Sequence, residues 1–303
     1  MALTHRRGVW LMVGCTLLWS TAGVVSRWLD SARGFEVTFW RSFFCALTLL
    51  AVLGGLRGPA ALWRSVRHGG RALWVSALCW SVMFTAFMLA LALTTVANVL
   101  ITLALGPLFT ALAARVALGH RLPPRTWGAI AVAGAGIAWM YGQQVGLIGG
   151  THWVGVLVAL AVPIAGATNW TLMQHLHHGD DEPGDMLPAV LLGASLSSLA
   201  TLPLALPFGA TAHHLGWLAL LGALQLGIPC LLAMMVTRVL KAPEISLLAL
   251  LEVVFGVLWA WLGAGEAPGL AVLGGGALVL AALAAHELLG LRGAQARAAK
   301  GAA

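Results

Sequence analysis

Leu251-Glu252-Val253-Val254-Phe255-Gly256-Val257-Leu258-Trp259 sets one carboxylate in the middle of an apolar run, and the pattern has a partner earlier in the chain. An offset of 146 residues lays Leu105-Gly106-Pro107-Leu108-Phe109 on Leu251–Phe255, Leu118-Gly119-His120 on Ala264-Gly265-Glu266, and Gly128 on Gly274. At an offset of 147, Gly8-Val9 falls on Gly155-Val156 and Thr21 on Thr168. The identities are few. Their shared offset over separate regions marks an internal repeat.

The rest of the chain is as apolar as this pair. Of its 303 residues 60% are hydrophobic and 9% charged, and mean hydropathy is +0.91. Soluble domains carry about a quarter charged residues, so a water-soluble enzyme, a nucleic-acid-binding module and a disordered chain are excluded. A spanning helix needs roughly 20 apolar residues. Ten such stretches fit, at 8–27, 36–56, 72–92, 95–117, 126–141, 153–174, 186–207, 213–237, 243–264 and 268–289. The first lacks a small-residue cleavage site and runs straight into the second, so it is expected to be a retained helix. The expected fold is an all-α membrane protein of ten transmembrane helices.

Charge orients it. If ten helices alternate, Arg6, Arg7, Arg57, Arg64, Arg67, Arg71 and most other basic residues share one side, while Arg27, Arg33 and Arg41 lie on or near the other. The excess of Lys and Arg on cytoplasmic loops then puts both termini in the cytoplasm. The repeat unit holds five spans, an odd number, so the second copy must enter the membrane from the opposite side. Inverted repeats of this kind recur in secondary transporters, which hold substrate near the bilayer midplane between the halves. The expected units are a first five-helix repeat at 1–150, an inverted second at 151–290, and a basic cytoplasmic tail at 291–303. Fifteen arginines to two lysines, with abundant Ala and Gly, suit a GC-rich bacterial source and an inner membrane.

Four stretches carry a family resemblance: Gly8-Val9-Trp10-Leu11 with Leu18-Trp19-Ser20, Phe39-Trp40-Arg41-Ser42-Phe43, Leu105–Phe109, and Leu251–Phe255 leading to Trp261-Leu262-Gly263-Ala264-Gly265-Glu266. With ten spans in two five-span halves, the chain resembles the EamA-type drug/metabolite transporter superfamily over nearly its whole length. The resemblance implies export or exchange of small metabolites, often amino acids, through a central cavity built mainly from spans one, three, four, six, eight and nine. His120 stands where the first half of that family often has Glu, and Val253 replaces a common Pro.

Nine of the ten acidic residues lie in loops or at helix ends; Glu252 is the one near midplane. An ionisable group there costs roughly 2.5–3.5 kcal/mol on insertion scales, which makes Glu252 a candidate site for a substrate ammonium or a proton, against a protonated Glu bonded to a neighbouring helix. Gly256 and Trp259 share its helical face. Gln225 lies at similar depth. Asn98, Thr102 and Asn169 are further candidate substrate contacts, or polar links between helices. Arg41 is expected to snorkel to the outer interface, with pairing to a substrate carboxylate as the alternative. Trp10, Trp63, Trp127, Trp153 and Trp217 sit near span ends as an interfacial belt, whereas Trp19, Trp80, Trp170 and Trp259 lie deeper. Trp80, Phe84 and Phe87 form one stripe at i, i+4 and i+7, either helix packing or a cavity wall for an aromatic side chain.

Pro107, Pro163 and Pro229 lie within spans, remove backbone donors and are candidate hinges for alternating access. The Gly274–Gly276 run and the Gly134/Gly136 pair suit close helix contact, at a homodimer surface or within each half. Cys15, Cys45, Cys79 and Cys230 form no pair motif and read as small buried residues. His175, His177 and His178 beside Asp180, Asp181 and Glu182 read as a solvated loop in preference to a metal site. No HExxH or phosphate-loop motif is present, and 193–197 only approaches GxSxG. The expected protein is therefore not an enzyme. It uses no cofactor or metal, and its partners are a small-molecule substrate and the bilayer, not nucleic acid. The substrate leans to aromatic or hydrophobic amino acids, with another metabolite or a drug-like compound as the alternative.

Overall fold

The computed structural model describes residues 3–29, 34–118, 124–142, 152–178, 185–240 and 242–301. Every described element is helical: α1 (His5–Arg27), α2 (Gly34–Arg57), α3 (Pro59–His68), α4 (Gly70–Leu93), α5 (Val96–Leu103), α6 (Gly106–Leu118), α7 (Pro124–Gly142), α8 (His152–His178), α9 (Pro188–Ala205), α10 (Ala212–Leu220), a π-helical segment (Leu221–Gly227), α11 (Ile228–Val236), α12 (Ala242–Ala264) and α13 (Leu270–Gly301). Seven helical stretches are long and apolar enough to cross a membrane, and three shorter apolar stretches lie in α7, α12 and α13. The chain is a multi-pass membrane protein. Trp10, Trp63, Trp127 and Trp153 are exposed near helix ends, as an interfacial belt requires.

Hydroxyls inside these helices are hidden by bonding back to the helix. Ser20, Thr21 and Ser26 each donate to the carbonyl three residues before, at 2.7 Å, which leaves no free donor facing lipid.

The structure departs from the sequence expectation in four places. Helix α3 has no expected counterpart. It starts with Pro59 after Gly58, whose φ of +81° suits glycine. The span expected at 95–117 breaks into α5 and α6, and Pro107 sits in the first turn of α6, where its missing N–H costs no bond. The span expected at 213–237 widens into the π segment, where the Ile228 N–H bonds to the Ala223 carbonyl five residues back. Pro229 follows at once; its ring would clash with the carbonyl four residues before it in a regular helix, and the wider turn gives it room. The tail expected from 291 continues α13 as helix to Gly301.

Helix α1 packs on α12 and α11, α2 on α9 and the π segment, α4 on α8 and α9, α8 on α5 and α6, α5 on α12, and α7 on α13. Glycines set the closest of these approaches. A Cβ at Gly136 would stand 2.9 Å from the Gly275 carbonyl, so these glycines join α7 to α13, two helices far apart in the chain. A Cβ at Gly193 would stand 2.4 Å from the Trp80 Cβ and 2.8 Å from the Ala77 carbonyl, and that backbone cannot swing aside. Gly193→Ala is expected to lower stability by about 1–3 kcal/mol through overpacking of α9 on α4. The thermal unfolding midpoint in detergent checks this; an unchanged midpoint would mean that the two helices part freely.

Candidate functional site

Two faces of the bundle are distinguished by α1, which begins at the near face with His5 and ends at the far face with Arg27. Between them lies a cavity of about 180 Å³. Its lining starts at Phe87, six residues from the far-face end of α4, and reaches Ile245 at the near-face start of α12. Seven of the expected spans contribute, including the second through Arg41, which the expected set of six left out.

One wall is aromatic. Trp80, Phe84 and Phe87 all line the cavity from α4, with Trp19 from α1 and Trp170 from α8. Trp80 and Trp170 meet edge to face at 5.9 Å. The stripe therefore faces the cavity in addition to packing.

The opposite wall is polar. Arg41 is fully buried on α2 and does not snorkel. Its Nε and Nη2 donate to the Gln225 Oε1 at 3.2 and 2.8 Å, and its guanidinium stands 5.6 Å above the Phe87 ring. Gln225 in turn donates from Nε2 to the Trp19 carbonyl at 3.0 Å, which fixes its amide. Snorkelling fails because Arg41 lies seven residues inside α2 and these partners replace the water it would seek. Gly222 makes the arrangement possible: a Cβ there would stand 2.6 Å from the Arg41 carbonyl, so only glycine lets the π segment lie on α2. Glu252 projects from α12 into the same cavity. Among the described residues it has no hydrogen-bond or ion-pair partner, so no neighbouring helix satisfies its carboxylate.

The other expected residues sit elsewhere. Trp259 donates to the Ser20 Oγ at 3.2 Å and ties α12 to α1. Gly256 packs on Leu100, so the face expected to serve Glu252 is used for helix contact beyond it. Asn98 donates to the Thr94 Oγ1 at 3.0 Å, and Thr102 to the Asn98 carbonyl at 2.8 Å. Asn169 accepts from the Ser76 Oγ at 2.6 Å, joining α8 to α4. None of these five is on the cavity wall, and one step along α8 it is Trp170 that is. Pro107 and Pro163 line the cavity; Pro229 lies behind it and accepts from the Cys15 thiol at 3.4 Å. Among the described residues no three His, Cys, Asp or Glu side chains come together as a metal site. His175, His177 and His178, expected in a solvated loop, end helix α8, and Asp180, Asp181 and Glu182 lie outside the described residues.

At the far face the sequence offered no signal for what the structure shows. Arg27 bonds through Nε to the Glu266 Oε2 at 3.0 Å, and through Nη1 and Nη2 to the Leu91 and Thr94 carbonyls at 2.9 and 2.8 Å. Glu266 accepts from the Val96 N–H at 2.8 Å. The arginine thus caps the carbonyl end of α4, the glutamate caps the N–H end of α5, and each helix end meets the charge its dipole favours. This clasp joins α1, the α4–α5 turn and the α12–α13 turn above the cavity.

Residues 6–142 match the EamA-like transporter family. Over that stretch, a little under half of the chain, the sequence is similar to that family. The family is one of small-molecule transporters, not of enzymes, and its match covers α1 to α7. Thirteen chains of solved structures also match. One, described only as "Crystal structure of protein", aligns with a TM-score of 0.66 and 20% identity over 95% of this chain and 98% of its own. At that identity the likeness speaks to the fold alone. No curated protein matches.

Proposed function

We propose that the protein is a secondary transporter that exports or exchanges amino acids, with an aromatic or hydrophobic preference, by alternating access about the central cavity. The observation that carries this reading is Glu252, an unpartnered carboxylate in a membrane-buried cavity, opposite an aromatic wall. It suits an α-ammonium, and the wall of Trp19, Trp80, Phe84 and Trp170 suits an apolar side chain. Drug-sized ligands usually occupy pockets from about 300 Å³ upward. A cavity of about 180 Å³ favours a small metabolite over a drug-like compound.

Ten crossings in two inverted halves are the architecture of this reading. Exchanging the halves turns the α1–α12 contact into that of α8 with α5 and α6, the α4–α8 contact into that of α11 with α1, and the α4–α9 contact into that of the π segment with α2. The pairs α2–α9, α5–α12 and α7–α13 map onto themselves. The EamA-like match ends at 142, close to the boundary between the halves. With both termini cytoplasmic in a bacterial inner membrane, the described state is closed on the outside by the Arg27–Glu266 clasp, and the cavity lining runs towards the cytoplasm.

Uptake of labelled aromatic and aliphatic amino acids into proteoliposomes tests the reading against protein-free liposomes. Saturable uptake with aromatic members ranked highest is expected. Trp80→Ala is expected to weaken that preference by removing the stacking surface, worth about 0.5–1.5 kcal/mol beyond buried area. No uptake by folded, inserted protein would move the substrate to another class of metabolite.

A further inference from the structure

The guanidinium of Arg41 has one edge too many for its neighbours. Its Nε–Nη2 edge is taken by the Gln225 Oε1, and its face is covered by Phe87. Nη1 is buried and has no hydrogen-bond partner among the described residues. A guanidinium carries five N–H donors and stays charged in proteins. Leaving charged donors unsatisfied in an apolar interior costs several kcal/mol, so an arginine kept only for packing would have its outer edge bonded. Arg41 and Glu252 line the same cavity without forming an ion pair. Opposite charges that could neutralise each other are thus held apart around a space.

We infer that Arg41 is the carboxylate anchor of the substrate site. The Nη1–Nη2 edge offers two parallel N–H groups, the geometry that binds a carboxylate in bidentate fashion. Glu252 receives the ammonium of the same molecule, and the aromatic wall its side chain. The site is then selective for a zwitterionic α-amino acid, and an amine without a carboxylate is rejected because the buried arginine stays unpaired. Gln225 is the positioning residue: held by the Trp19 carbonyl, it keeps the far edge of the guanidinium occupied so that the near edge faces the substrate. The inference rests on the amino-acid reading above and adds the group that reads the carboxylate.

The test compares L-phenylalanine with L-phenylalaninamide, which has the same side chain and amine but no carboxylate. Binding is read from the ligand-dependent rise of the thermal unfolding midpoint of detergent-purified protein, at mildly acidic pH where both ligands carry the ammonium. Wild-type protein needs no substitution here, so folding defects do not enter. The amide is expected to bind at least about thirtyfold more weakly, the effect of truncating one partner of a buried charge pair. Arg41→Lys keeps the charge without the fork and is expected to weaken L-phenylalanine about tenfold while leaving the amide unchanged. Equal binding of the two ligands by wild type would overturn the anchor and leave the amino-acid reading standing. Binding of neither, with no other amino acid of the panel bound, would overturn the amino-acid reading and the anchor with it.

Discussion

Glu252→Gln is expected to abolish saturable uptake of the preferred amino acid and its exchange across proteoliposomes alike. The glutamine has nearly the same shape, so the change removes charge and leaves packing alone. In the structure the carboxylate lines the cavity and has no partner among the described residues. Its loss therefore deprives no other protein group of a bond. What is lost is the pairing with the substrate ammonium inside a largely apolar cavity. Truncating one side of a buried charge pair costs about 2–5 kcal/mol, which lowers affinity by a factor of about thirty to several thousand. Exchange is the informative arm. A group that only couples a proton can be neutralised while exchange continues, whereas a group that binds substrate cannot. Continued exchange with uptake made independent of the proton gradient would assign Glu252 to coupling. Unchanged affinity and gradient dependence would remove it from the site.

Breaking the far-face clasp is expected to open the protein on that side. Arg27 and Glu266 are partly exposed, at 30% and 21% of their side chains, so the ion pair alone contributes little. Its strength comes from the three backbone groups it binds at two helix ends. Together these bonds bias the closed state by about 1–3 kcal/mol, or roughly five- to 150-fold in population. At the offsets of the proposed repeat the positions matching Arg27 and Glu266 are Gln174 and His120. Neither residue type brings the full charges of the far-face clasp, so the far face is the one favoured to rest closed. A cysteine probe at Ala22, buried on α1 between Trp19 and Arg27, reports the opening. Glu266→Gln and Arg27→Ala are each expected to speed its modification by an impermeant maleimide about tenfold or more when the reagent is added at the far face. The double variant should add little, because both remove one device. An unchanged rate in both single variants would show that packing alone closes this face.

Much of the architecture was legible before any coordinates. Hydropathy over windows of span length responds to the cost of an unsatisfied backbone in lipid, and that cost is local. All ten expected spans accordingly fall on helix, though seven alone are long and apolar enough to cross by themselves. Helix α3 escaped because an amphipathic helix at a membrane surface carries no long apolar run. The site was legible in part. Glu252, Trp80 and Phe84 stood out because a charge or an aromatic stripe is unusual at their depth. Asn98, Thr102, Asn169 and Trp259 stood out for the same reason, yet they bond to Thr94, to the Asn98 carbonyl, to Ser76 and to Ser20.

The sequence by itself determined that this chain is a helical membrane protein with one carboxylate deep in an apolar span, because both follow from the order of polar and apolar residues along a single helix. Only the tertiary structure decided which polar groups meet. Arg41 reaches Gln225 across 184 residues and Arg27 reaches Glu266 across 239. Those meetings depend on how helices rotate and cross, and the π turn after Gly222 alone changes which side of its helix Gln225 presents. A helix shows lipid one face and its neighbours another, and periodicity is faint where every face is apolar. Rotation is then set by glycine contacts and buried bonds between distant segments, which no window of sequence contains.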